Sequence, residues 1–91
     1  MSNVQPDELR SRVVRIIVAS AEGDLSEQDL ARADGSLPAV SYSSLSYIRM
    51  IDAIENEIGV YLDPEEESRR LETVDGIVAL IADNLQGAVS A

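Results

Sequence analysis

Ser41, Ser43, Ser44 and Ser46 crowd into one short stretch near the middle of the chain. A serine hydroxyl becomes a nucleophile when a nearby base takes its proton. This chain holds no His, so the usual general base at neutral pH and the commonest metal ligand are missing. It holds no Cys, which excludes disulfides, thiolate catalysis and cysteine zinc sites. A self-sufficient hydrolase or metalloenzyme is therefore not expected. Any chemistry must come from an attached group or from a partner. The Glu65-Glu66-Glu67 run reads as a charge cluster at a helix start, because three successive residues cannot share one helix face. The stretch from Asp24 to Asp34 lacks the calcium-loop pattern.

The serines sit where a regular helix begins. From Ser44, the residues Tyr47, Met50, Ile51, Ile54 and Ile58 fall within one arc of about 100°. The spacing predicts a helix over 44–58, stopped by Gly59. Leu45 and Ile48 lie off that arc, so core packing does not explain them. Before it, Leu9, Val13, Ile16 and Ile17 predict a first helix over 7–21, opened by Pro6 and Asp7 and ended by Gly23. Arg10, Arg12 and Arg15 lie mostly on its other side. Residues 22–43 read as a long loop anchored by Leu25, Leu30 and Leu37, with Ser26 and Asp29 capping one short turn.

After Gly59, Asp63 as N-cap and Pro64 at the first position predict a short helix near 64–69. Thr73 caps a last helix over 74–85, with Val74, Ile77, Val78, Ile81 and Leu85 inward. Residues 1–6 and 86–91 read as flexible tails. The expected fold is all-α: a small bundle of three long helices plus one short helix, with a long loop between the first two long helices. Tyr42, Tyr47 and Tyr61 are read as packing residues, with Tyr42 alone placed to touch a partner.

With 91 residues and 9.8 kDa, the chain is large enough for one small domain. Its 26 Val, Ile and Leu, without Phe or Trp, make an aliphatic core. Seven Arg against 17 acids give a net charge of −10. Such a balance argues against nucleic acid and against an anionic membrane surface. The charge is uneven. Residues 1–21 hold three Arg and two acids, while 22–91 hold four Arg and 15 acids. A partner of the later part is expected to present a basic surface. No apolar run reaches transmembrane length and Met1 to Asp7 carries no signal-like segment, so a cytoplasmic protein is expected.

The stretch Tyr42-Ser43-Ser44-Leu45-Ser46-Tyr47-Ile48 follows a long loop and opens the central helix, which ends in Glu55-Asn56-Glu57-Ile58-Gly59-Val60. This resembles the acyl carrier protein and peptidyl carrier protein family, whose pattern is Asp-Ser-Leu at the same place. Ser44-Leu45 matches its Ser-Leu, Ile58-Gly59-Val60 its apolar-Gly-apolar step, and Thr73-Val74 the start of its last helix. The resemblance covers about residues 7–85, which would then be one carrier domain. It departs at Ser43, where the family has Asp, and at Ser46 and Arg49, where the family often has an acid. Among the four serines Ser44 is the acceptor expected. Only Ser44 has Leu directly after it, and only that register puts Met50, Ile54 and Ile58 on family core positions.

The resemblance implies a non-catalytic carrier that is a monomer on its own. It would bear a covalent 4′-phosphopantetheine arm on Ser44, installed from coenzyme A by a phosphopantetheinyl transferase. The arm would carry acyl or aminoacyl groups as thioesters between separate enzymes. Partners would be acyltransferase, adenylating or synthase enzymes with basic docking patches. They would meet Leu45, Ile48, Arg49, Asp52 and Glu55, with Tyr42 beside them. The departures favour polyketide or nonribosomal peptide biosynthesis over fatty-acid synthesis. A carrier-like interaction module that has lost the arm, or an unrelated acidic helix bundle, are the rival expectations. For Ser44 itself the plain alternative is a helix cap.

Overall fold

The computed structural model describes residues 6–90, with the backbone alone at residue 6 and at 87–90. Of the tail expected over 1–6, residues 1–5 lie outside the described residues, and residue 6 instead opens the first helix. Four α-helices follow in order: α1 Pro6–Ser20, α2 Glu27–Arg32, α3 Ser44–Ile58 and α4 Val74–Ser90. Among the described residues there is no β-strand, only one isolated antiparallel bridge between Ser36 and Thr73. The all-α bundle is as expected.

The periodicity of α1 does its predicted work. Leu9, Val13, Ile16 and Ile17 are all buried, and Asp7 and Glu8 stand in its first turn, where acids favour the positive helix end. The helix closes at Ser20 with Ala21 N–H donating to the Val18 carbonyl. Gly23 is therefore not its stop: it lies beyond, with no left-handed φ.

The expected long loop is partly helical. Ser26 Oγ accepts from Asp29 N–H at 3.0 Å, and Asp29 Oδ2 accepts from Ser26 N–H at 3.1 Å. This capping box starts α2 rather than a single turn. Leu25 is half-buried, and Leu30 and Leu37 are fully in the core. Two hydrogen bonds then clamp this segment to the entry of α4: Leu37 N–H to the Glu72 carbonyl, 2.8 Å, and Val74 N–H to the Gly35 carbonyl, 2.9 Å.

The short helix expected at 64–69 does not form. Asp63 Oδ1 does accept from Glu65 N–H at 2.9 Å, as a cap would. Only turns follow, then a single 3-10 turn at Arg70–Glu72. Residues 64–69 contain no buried side chain. Without an apolar face to bury, a helix this short is not held against the core. The short helix of the bundle is instead α2.

Tyr61 also departs from expectation: it is 58% exposed. Val60 and Leu62 on either side are buried. In this non-helical run side chains alternate inward and outward, so two flanking anchors turn Tyr61 out.

The last helix runs past its expected end at 85, through residue 86 and on to Ser90. Val74, Ile77 and Ile81 are buried as expected, Val78 and Leu85 half-buried, and Leu80 joins the core. Arg10 pairs with Asp75, and Arg12 Nη2 donates to the Glu57 carbonyl at 3.1 Å, tying α1 to both α4 and the end of α3.

Gly76 in the first turn of α4 is required by contact. Its N–H donates to Thr73 Oγ1 at 2.9 Å, and an added Cβ would press into the Arg70 carbonyl, well inside van der Waals range. Helix propensity alone makes Gly76→Ala stabilising by about 1 kcal/mol. Overpacking against backbone that cannot swing aside costs about 1–3 kcal/mol and wins. Thermal unfolding of the variant should show a lowered midpoint; a raised one would mean that the 70–72 turn is not seated on α4.

Candidate functional site

Rigid pieces position Ser44. A 3-10 turn at Pro38–Val40 follows the anchored Leu37, and Ser41 takes a left-handed conformation at φ 57° that reverses the chain. Tyr42 N–H returns to the Leu37 carbonyl at 3.1 Å. The Tyr42 hydroxyl donates to the Ile17 carbonyl of α1 at 2.8 Å, and its ring stands edge-on to Tyr47 with centroids 5.0 Å apart. Burial pushes the Tyr42 phenol well above its ordinary range, a Ser20 hydrogen bond offsetting only part of it; burial raises Tyr47 also, helped by Glu72. Both phenols stay neutral, and Tyr42 keeps the proton it donates to Ile17. Tyr42 is thus held inward, half-buried, as a brace between α1 and α3.

The four serines separate by environment. Ser43 is the N-cap of α3: its Oγ accepts from Ser46 N–H at 3.0 Å and donates to Ser46 Oγ at 2.9 Å. Ser46 is only 1% exposed. Ser41 is exposed in the turn, and Ser44 is exposed as the first residue of α3. Of the two exposed hydroxyls, only Ser44 stands on the 15-residue helix. The first amides of such a helix have no carbonyl partner within it, and its positive end favours an anion. Because Ser43 already satisfies Ser46 N–H, the Ser44 hydroxyl is not needed as the cap.

The outer face of α3 carries the other expected residues. Leu45 is 43% and Ile48 63% exposed; with Tyr61 they are the large apolar side chains most open to solvent among the described residues. Arg49, Asp52 and Glu55 are exposed on the same helix. Asp52 accepts from Asn56 Nδ2 at 3.2 Å. Arg49 has no ion pair among the described residues, although Arg10, Arg32 and Arg70 each do. Leu45 and Ile48 therefore form a small exposed apolar area beside Ser44 at a helix start, followed by one cation and then anions.

Sequence reasoning did not single out Ser46 as a buried lock of the first turn. The Ser43-to-Ser46 spacing, N-cap to third helical residue, was the available signal. It also did not find the cleft beside the site, lined by 21–25, Asp29, 40–43 and Ser46, with a volume of about 430 Å³. Among the described residues no group of three or more His, Cys, Asp or Glu is placed to hold a metal ion, and no helix is long and apolar enough to cross a membrane. Comparison with known proteins gives no matching family model, no matching curated protein and no matching solved structure.

Proposed function

We propose that this chain is a discrete carrier protein, acting in the cytoplasm, that bears acyl or aminoacyl groups on a 4′-phosphopantetheine arm at Ser44. The single observation that supports it most is the exposed Ser44 hydroxyl heading α3, with the capping duty taken by Ser43. The site fits a phosphodiester: the oxygen is accessible, and the helix end beside it favours negative charge. When attached, the arm supplies a terminal thiol that holds cargo as a thioester.

The residues of this chain do the rest. Ser44 Oγ bonds to the pantetheine-side phosphorus of coenzyme A, and the pyrophosphate P–O bond breaks to release the adenosine bisphosphate. The hydroxyl proton passes to a base of the transferase, since this chain carries no His. Tyr42 and Ser46 hold the helix start still. Leu45 and Ile48 offer an apolar contact whose burial would favour docking.

The departures at Ser43, Ser46 and Arg49 favour dedicated partners of polyketide or nonribosomal peptide assembly. Reversing one exposed charge on α3 changes an interaction by up to about 1 kcal/mol, about fivefold. Asp52→Lys or Glu55→Lys should slow loading by a partner with a basic patch by that factor at low salt, and less at high salt. Arg49→Glu should slow loading by the cognate enzyme and not by a fatty-acid enzyme. Equal rates for both enzymes would remove the case for a dedicated partner.

The decisive experiment is intact-mass spectrometry after co-expression with a broad-specificity phosphopantetheinyl transferase. A mass increase by one phosphopantetheine supports the carrier. No increase favours an interaction module that has lost the arm.

A further inference from the structure

The cleft beside Ser44 has two unlike walls. One is the strap of residues 22–25 that leaves α1; the other is formed by Val40, Tyr42 and Ser43. Its volume, about 430 Å³, is within the range of small-molecule sites, about 300–1,000 Å³. The second wall is fixed, because Tyr42 is bonded to Ile17 and Ser43 to Ser46. The first wall is chemically open: among the described residues, no backbone N–H or C=O of 22–25 has a hydrogen-bond partner. Half-buried Leu25 and Val40 add apolar surface to the cleft. Ser43 and Ser46 line it, and Ser44 is the residue that follows Ser43 in the chain.

We infer, on the carrier reading, that this cleft is the resting place of the arm. The unpaired N–H and C=O groups of 22–25 would bond the neutral amides and hydroxyl of the pantetheine chain, and Leu25 and Val40 would cover its methyl and methylene groups. The match is to a neutral, amide-bearing chain: Glu22 and Asp24 of the strap, and Asp29, line the cleft and oppose an anion. The strap thereby becomes a retaining band. It holds the thiol close to the carrier until a partner docked on α3 draws it out.

The test uses the full chain loaded from coenzyme A, with loading checked by intact mass. Amide chemical shifts are compared before and after loading. The cleft predicts changes at 22–25 and 40–43 as well as at the first turn of α3. Gly23→Trp supplies the second measurement, because a Cβ at Gly23 meets no atom within 4 Å and its φ is not left-handed. If the arm spends about two thirds of its time in the cleft, a neutral aromatic disulfide should react with the wild-type thiol about threefold more slowly than with the Gly23→Trp thiol. Shift changes confined to residues 44–47, or equal thiol rates, would overturn the cleft and leave the carrier standing. A protein that gains no mass at Ser44 overturns the carrier reading and this inference together.

Discussion

Ser44→Ala should abolish the gain of phosphopantetheine while leaving the fold nearly unchanged. The expected loss is complete, since the variant has no oxygen at the acceptor position. The fold should tolerate it for two reasons. Ser44 is exposed, and Ala is the best helix former at the head of α3. Ser43→Ala should do the reverse. It removes the oxygen that accepts Ser46 N–H and the hydroxyl that donates to Ser46 Oγ, deep in the first turn. Loss of such a cap costs about 1 kcal/mol, which lowers the midpoint of a domain this size by about 4–8 °C. Loading should survive. Intact mass and thermal unfolding on both variants check the pair. If Ser43→Ala abolishes loading and Ser44→Ala does not, the acceptor is Ser43 and the site lies one residue earlier.

That exchange of roles between neighbours shows what local chemistry makes legible. The bounds of α3 were readable from the apolar period that begins at Tyr47 and from Gly59, at φ 85°, in the left-handed position after the last turn; that Ser43 is the N-cap is seen only in the folded chain. Leu45 and Ile48 were readable as exposed because they miss the arc that Met50 and Ile54 define. The capping box at Ser26 and Asp29 was readable as a start, yet α2 was not readable as a helix. Six residues with one buried anchor, Leu30, are too few to show a period. The 64–69 segment misled for the opposite reason. Asp63-Pro64-Glu65 is a good helix start, but no side chain within 64–69 is buried. The cleft could not be read at all. Its walls come from residues 21–25 after α1, Asp29 of α2, and residues 40–43 with Ser46 at the entry of α3, which only the folded chain brings together. Tyr42 illustrates the same limit: its ring could be assigned to packing, but its hydrogen bond to Ile17, 25 residues earlier, is a tertiary fact.

The packing that holds this site gives the other large effect. Ile54 is 0% exposed on the inner face of α3, and α1 and α3 form the most extensive contact between elements. The chain has no Phe and no Trp, so the core consists of branched aliphatic side chains and Met50. Such side chains relax only in part around a deletion, and Ile54→Ala should cost about 2–5 kcal/mol. A domain of this length has about 5–15 kcal/mol in total. The loss would therefore take a large share of the stability and lower the midpoint by about 8 °C or more. Ile48→Ala is the matched control. Ile48 stands six residues earlier on the same helix but is 63% exposed, so its truncation should change stability by no more than about 0.5 kcal/mol. On the proposed function, docking by a loading enzyme should weaken instead, because that reading sets Ile48 against the partner. Thermal unfolding of both variants, with loading kinetics on Ile48→Ala, separates the two faces of α3. An unchanged midpoint for Ile54→Ala, or a large fall for Ile48→Ala, would mean that the helix is rotated and that Ser44 is presented from a different face.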